Sequence, residues 1–299
     1  MRKGYTIAIA IISIGLLWYF FIKPQDYQVR VTAKSNAGVI NQALKAWSKT
    51  LPKASLRQVN DMNHLEQIIS FGDSTHIYEW NINALTDSTS HIVVDIKDVD
   101  HSLKNKFYIP FTDTDFEIKS RKTVTEFIEN LNEHLKEFKV TFIGEEALPS
   151  TYCACVEHKT IQNKKAFAMM ESYPFLNSVI GNNGIEFNGI PFIETTDWNM
   201  QNDSIVFNFC YPIIKKDTLP TIKDLVYKEF IGTNSLKAVY NGNYMTSDRA
   251  WYTLLDYAEK NGIEVDQKPI EFFFNNPNMG GDALRWKAEI YMPLLDSDE

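Results

Sequence analysis

Apolar positions along this chain follow two periods, and the changes between them mark out its elements. Tyr27-Gln28-Val29-Arg30-Val31-Thr32-Ala33 alternates every second residue, as a half-buried strand does. His76 to Ile82, His91 to Lys97 and Lys106 to Phe111 alternate in the same way, with Asp87-Ser88-Thr89-Ser90 as a turn between two of them. Val39, Ile40, Ala43, Leu44 and Trp47 recur instead on one face of a helix that Ser35 or Asn36 can cap. Val124, Phe127, Ile128, Leu131, Leu135 and Phe138 predict a long amphipathic helix. Gly144 to Ser150, containing Pro149, reads as a short linker.

Beyond that linker the pattern occurs twice. Ile205 to Pro212 and Trp286 to Pro293 are both strands stopped by proline, pairing Pro212 with Pro293, Cys210 with Tyr291 and Asn208 with Glu289. Asn183-Gly184-Ile185-Glu186 matches Asn261-Gly262-Ile263-Glu264, each closing an apolar-periodic helix with glycine. Pro191-Phe192-Ile193 matches Pro269-Ile270-Glu271, and Ala154-Cys155-Val156 and Lys237-Ala238-Val239 are the entering strands. The second helix, from Thr246 or Ser247 to Lys260, presents Trp251, Leu254, Leu255 and Ala258 on one face. The half thus reads as two β-α-β-β copies, about 151–215 and 225–295, joined by Asp217 to Asp224, with a cleft between them. One copy carries an acid, Glu289, where the other carries an amide, Asn208.

At the N-terminus, Tyr5 to Ile22 is free of charge and long enough to span a bilayer. Arg2 and Lys3 precede it, Trp18, Tyr19 and Phe20 could form an interfacial belt, and Lys23-Pro24 ends it. A cleaved signal peptide would need a small-residue site that is missing here. The expectation is a single-pass anchor over 1–25, N-terminus inside, with a membrane contact through residues 5–22. The domains at 26–148 and 151–299 would then be extracytoplasmic, or periplasmic.

Composition narrows the function. An apolar fraction of 44% with 13% aromatic residues furnishes real cores and excludes a disordered chain. A net charge of −8 argues against a nucleic-acid partner, since phosphate contacts need a basic surface. Three cysteines are odd in number and too few for a disulfide framework. Cys153 and Cys155 share a strand face near His158, but the spacing is not that of a zinc knuckle, so buried inert thiols and no metal are expected. The histidines are scattered and no nucleotide or metallohydrolase motif is present, so no cofactor is expected.

The second half resembles the GyrI-like, or AraC-type, effector-binding domain. The likeness lies in Tyr240-Asn241-Gly242-Asn243-Tyr244, Ala250 to Leu255, Asn261-Gly262-Ile263, Glu271 to Pro277 and Trp286 to Pro293. The order of elements in 26–148, with Tyr78-Glu79-Trp80, resembles the helix-grip fold of START-like (SRPBCC, polyketide-cyclase-like) domains, which wrap an apolar cavity. Trp47, Trp80 and Phe116 would then be cavity wall or plain core. The fold class is therefore α+β. The first resemblance implies that Glu289 sits in a hydrophobic cleft, with Tyr291, Tyr244, Trp251 and Phe273 as its walls. Such a carboxyl has a raised pKa and suits a small hydrophobic or cationic ligand in a non-enzymatic sensing or sequestering role. Relatives that hydrolyse strained electrophiles imply an alternative, with Glu289 as general base and Tyr291 as donor. A protein-interaction module without ligand is the remaining alternative.

Overall fold

The computed structural model describes residues 2–86 and 88–295, an α+β protein with two antiparallel sheets and six α-helices among them. The chain divides into two compact units, Met1–Glu133 and His134–Glu299.

The first unit begins with α1, Arg2–Leu17, which passes into a π-helical turn over Trp18–Ile22. The expected single-pass anchor, and the extracytoplasmic placement built on it, are overturned here. No helix of the described residues is long and apolar enough to cross a membrane. The regular part of α1 is 16 residues, about 24 Å at ~1.5 Å per residue against a hydrocarbon core of ~30 Å.

A five-stranded sheet follows, in the order β1-β5-β4-β3-β2. Its strands are β1 (Tyr27–Ala33), β2 (Ala54–Gln58), β3 (His64–Phe71), β4 (Ser74–Thr86) and β5 (Thr89–Asp98). The turn expected at Asp87 to Ser90 includes Asp87, which lies outside the described residues. Asn36 caps α2 (Ala37–Ser48), its Oδ1 accepting from the Val39 amide at 3.0 Å. Helix α4 (Asp115–His134) buries Phe116, Val124, Phe127 and Leu131. Phe127 packs against Trp47 and Trp80, with ring centroids at 5.5 and 5.0 Å. The polar edges of this core are joined as well: Trp80 donates to Gln67, which donates to Ser48 on α2.

Two local expectations fail for identifiable reasons. Lys106 to Phe111 is not a strand: α3 spans Ser102–Tyr108. A short mixed run does not reveal its period, and here Lys106 is pulled inward to donate to the Lys23 carbonyl at 2.5 Å and pair with Asp26. The long helix also stops at His134, so Phe138 opens a strand instead.

That strand, β6 (Phe138–Ala147), absorbs part of the expected linker and pairs with β11 in the second unit. Its pairing with β11 is interrupted by a bulge at Ile143, beside Gly144, whose φ is +130°. The remaining elements are β7 (Thr151–Ile161), α5 (Lys165–Asn182), β8 (Phe192–Asn199), β9 (Ser204–Pro212), β10 (Val226–Phe230), β11 (Asn234–Gly242), α6 (Arg249–Asn261), β12 (Ile270–Phe273) and β13 (Lys287–Pro293). Gly184 and Gly262 follow the two long helices in left-handed conformation, at φ 58° and 64°.

All eight strands form one sheet, β10-β7-β9-β8-β12-β13-β11-β6. Ile193 faces Glu271 across its centre line, with Phe192 opposite Phe272 and Glu194 opposite Ile270 on either side. Moving outward, Cys210 stands opposite Phe192 as Tyr291 does opposite Ile270, and Asn208 opposite Glu194 as Glu289 does opposite Phe272. The sequence reading aligns these positions as counterparts in two copies. The entering strands are shifted by one residue from that reading, because Lys237 faces Tyr291 where Cys155 faces Cys210. A one-residue slip exchanges the two faces of a strand, so the shift matters. The register of β7 on β9 places Cys155 and Cys210 side by side, and they form a disulfide that corrects the expectation of inert thiols; Cys153 stays free and buried.

In the first unit, burial pushes the His76 imidazole down to about 4 from an ordinary 6.5, against the opposing pull of Asp98. The unfolded chain therefore takes up this proton first as the pH falls, so folding free energy is full above about 6.5 and drains away towards about 4. Urea titrations read by amide exchange across Ser74–Thr86 should show that loss, and His76→Phe should flatten it. An identical pH profile in the variant would count against the assignment.

Candidate functional site

Strand alternation divides the second unit into two chemically distinct faces. Ile193, Phe209, Glu271 and Ile290 lie in one cross-strand row, on the side of the sheet that meets α5. Glu271 has no exposed surface and forms an ion pair with Lys165, from the first residue of α5, which is equally buried. Ser247 completes the cluster, accepting from Lys165 Nζ at 2.9 Å and donating to Glu271 Oε2 at 2.6 Å. The ammonium also lies 4.5 Å from the centroid of the Trp251 ring. Burying two charges is tolerable only when every donor and acceptor is met in this manner. Beside them Gln162 accepts from Trp198 and Tyr252 and donates to Asp248, so the starts of α5 and α6 are tied together.

With that end of α5 fixed, the next two turns stand off the sheet and leave a cavity of about 470 Å³. Ala166, Met169, Met170 and Tyr173 of α5 form one wall, and Phe209 and Tyr211 of β9 the floor. Tyr244, Phe273 and Trp286 close the other side, with the Asn275-Asn276-Pro277-Asn278 loop at the rim. The described lining contains nine aromatic side chains, three methionines and five asparagines, but no charged residue. Burial pushes the phenols of Tyr211 and Tyr244 up to about 12, so both are neutral. Tyr244 donates to the Lys287 carbonyl at 2.8 Å and accepts from the Asn275 amide, which pins the rim loop to β13. Tyr173 accepts from Asn276 at 3.1 Å, linking the same loop to α5.

Of the five residues singled out from the sequence, Tyr244 and Phe273 line this cavity. Trp251 is wholly buried behind it, against Lys165 and Trp198. Glu289 and Tyr291 lie on the opposite face of the sheet, beside Phe272. There Glu289 pairs with Lys287 at 2.6 Å and Lys237 at 3.1 Å and accepts from Tyr291 at 2.8 Å. Burial alone would push its carboxyl up, but the hydrogen bonds from Lys287, Tyr291 and Lys237 outweigh that and hold it below the ordinary value. The raised pKa expected of an empty cationic site is therefore not found, because two lysines of the chain already neutralise it. Sequence reasoning missed Lys165 and the contribution of α5. The available signal was Glu271, a lone acid in the apolar run Ile270-Glu271-Phe272-Phe273.

Comparison with protein-family models and with curated proteins finds no match. Among solved structures, the EcmrR C-terminal domain is 14% identical with a TM-score of 0.44, over 54% of this chain and 99% of that one. SAV2435 bound to tetraphenylphosphonium is 11% identical with a TM-score of 0.37, over 52% and 94%. A hydrolase from Listeria innocua is 12% identical with a TM-score of 0.32, over 55% and 98%. Likenesses this slight carry no weight for ligand or activity.

Removing one member of the buried pair should be costly. Lys165→Met strands a carboxylate and should lose about 3–5 kcal/mol in denaturant titrations, whereas Lys165→Met with Glu271→Leu should regain most of it. Equal losses in the single and double variants would show that the pair does not organise this unit.

Proposed function

We propose that the second unit binds a small, uncharged, hydrophobic molecule with an aromatic face, in the cavity beside α5, without acting on it chemically. The observation that carries this reading is the lining itself. A volume near 470 Å³ suits a small organic ligand, and aromatic walls with scattered amides supply area and a few oriented hydrogen bonds. A full positive charge would meet π-faces there but no carboxylate among the described lining residues, because Glu271 is held by Lys165 and Glu289 lies on the other face.

The sheet order that is the same from both ends, and the matched register about Ile193 and Glu271, favour a duplicated β-α-β-β unit of GyrI-like type in which one half acquired the acid. In the first unit, α4 lying along the sheet through Phe127, Trp47 and Trp80 favours a helix-grip, START-like domain.

The full chain should bind a neutral dye such as Nile red more tightly than a hydrophobic cation such as tetraphenylphosphonium, by fluorescence and calorimetry respectively. Ala166→Trp, which fills the cavity, should weaken the dye by about tenfold or more, while Glu289→Gln should leave it within about twofold. The reverse pattern, with loss in Glu289→Gln and none in Ala166→Trp, would move the site to the other face of the sheet.

A further inference from the structure

The face away from α5 holds a second, unrelated chemical feature. Cys153 and Cys155 are two residues apart on β7 and share a side, and Cys210 stands opposite Cys155 on β9. Their three Sγ atoms all lie within 4.8 Å of one another. An apolar cluster including Leu148, Phe192, Phe230 and Tyr291 surrounds them. Cys153 donates to the Lys228 carbonyl at 3.4 Å. The other half of the sheet has Lys237 and Tyr291 where this half has Cys155 and Cys210. The sulfur set is thus a local departure, not a repeat-wide packing habit.

We propose that, once the disulfide is reduced, Cys153, Cys155 and Cys210 form a three-sulfur site for a trivalent thiophilic ion of the arsenic(III) or antimony(III) class. Ligand number and charge select that class. No fourth histidine, cysteine or carboxylate joins the group among the described residues, so zinc would need an outside ligand and, with three thiolates, would keep a net negative charge. Three thiolates on a monovalent soft cation would carry net negative charge into an apolar cluster. Lys228, whose charge acts on Cys153, is already paired with Glu194. A trivalent ion with three thiolates is neutral and needs no counter-charge.

The stoichiometry closes. A thiol or phosphine reductant supplies two electrons, and with two protons the Cys155–Cys210 bond becomes two thiols. Arsenous acid then exchanges its three hydroxides for three sulfurs. Three As–O bonds break, three As–S bonds form, and each thiol proton leaves with a hydroxide as water. The route in is β10, a five-residue edge strand that covers Cys153 through Lys228 and pairs only with β7.

The test is titration of the full chain with arsenite, after phosphine reduction, followed by sulfur-to-arsenic absorption and native mass. Reduced protein should take up one arsenic with loss of three protons, oxidised protein none. Cys153→Ser and Cys153→Ala should each weaken uptake by about tenfold or more, with far-UV circular dichroism checking the fold. Failure of the reduced chain to bind, its loss of native dichroism on reduction, or uptake unchanged in both variants would each overturn the proposal.

Discussion

The second unit is arranged around one buried ion pair. Lys165 and Glu271 both lack exposed surface, and each satisfies the other together with Ser247. Their position explains the rest. Glu271 lies on the centre line of the eight-stranded sheet, and Lys165 begins α5, so the pair fixes where that helix meets the strands. An apolar pair would bury as well but would not dictate one rotational setting of the helix. The setting chosen leaves Met169 and Tyr173 facing Phe209 and Phe273 across open space. The partner of Glu271 across the centre line is Ile193, so the charged member belongs to one half only.

Three polar arrangements are thereby kept apart by the pleat. Residues in step with Glu271 serve the helices and the cavity, while those out of step form the sulfur cluster and the Glu289–Lys237–Tyr291 group. That last group is self-contained. Lys237 also reaches Glu146 of β6 at 2.9 Å, so its carboxylates bind the edge strand to the sheet and have no need of an external cation.

Much of this was legible in the sequence, in uneven measure. Proline stops and helix-ending glycines were readable because alternation and punctuation are local. Aromatic residues around the cavity were partly readable: Tyr244 and Phe273 were picked out, but Met169, Tyr173 and Phe209 come from elements whose periodicity says only that they are buried. Glu289 stands out as an acid on an apolar strand, yet Glu271 fits the same description. Only the register reveals which acid meets its lysine within the chain at the sheet's centre and which at its outer face. Lys165 could not be found at all, since a lysine at a helix start is ordinarily solvated. The disulfide was not readable because three cysteines suggest no framework and nothing local fixes the register of β7 on β9, and the apolar stretch at the N-terminus looked longer than the regular helix it forms.

The join between β8 and β12 is the narrowest in the eight-stranded sheet, with three register pairs where its neighbours have four or more. Backbone hydrogen bonds from Thr195 to Pro269 and from Phe273 to Pro191 continue that join at its two ends. The cavity draws its floor from β9 and one wall from β12, one on each side of that midline. The width of the cavity therefore depends on the angle at which β8 and β12 meet, and the buried Lys165–Glu271 pair ties α5 to the same place.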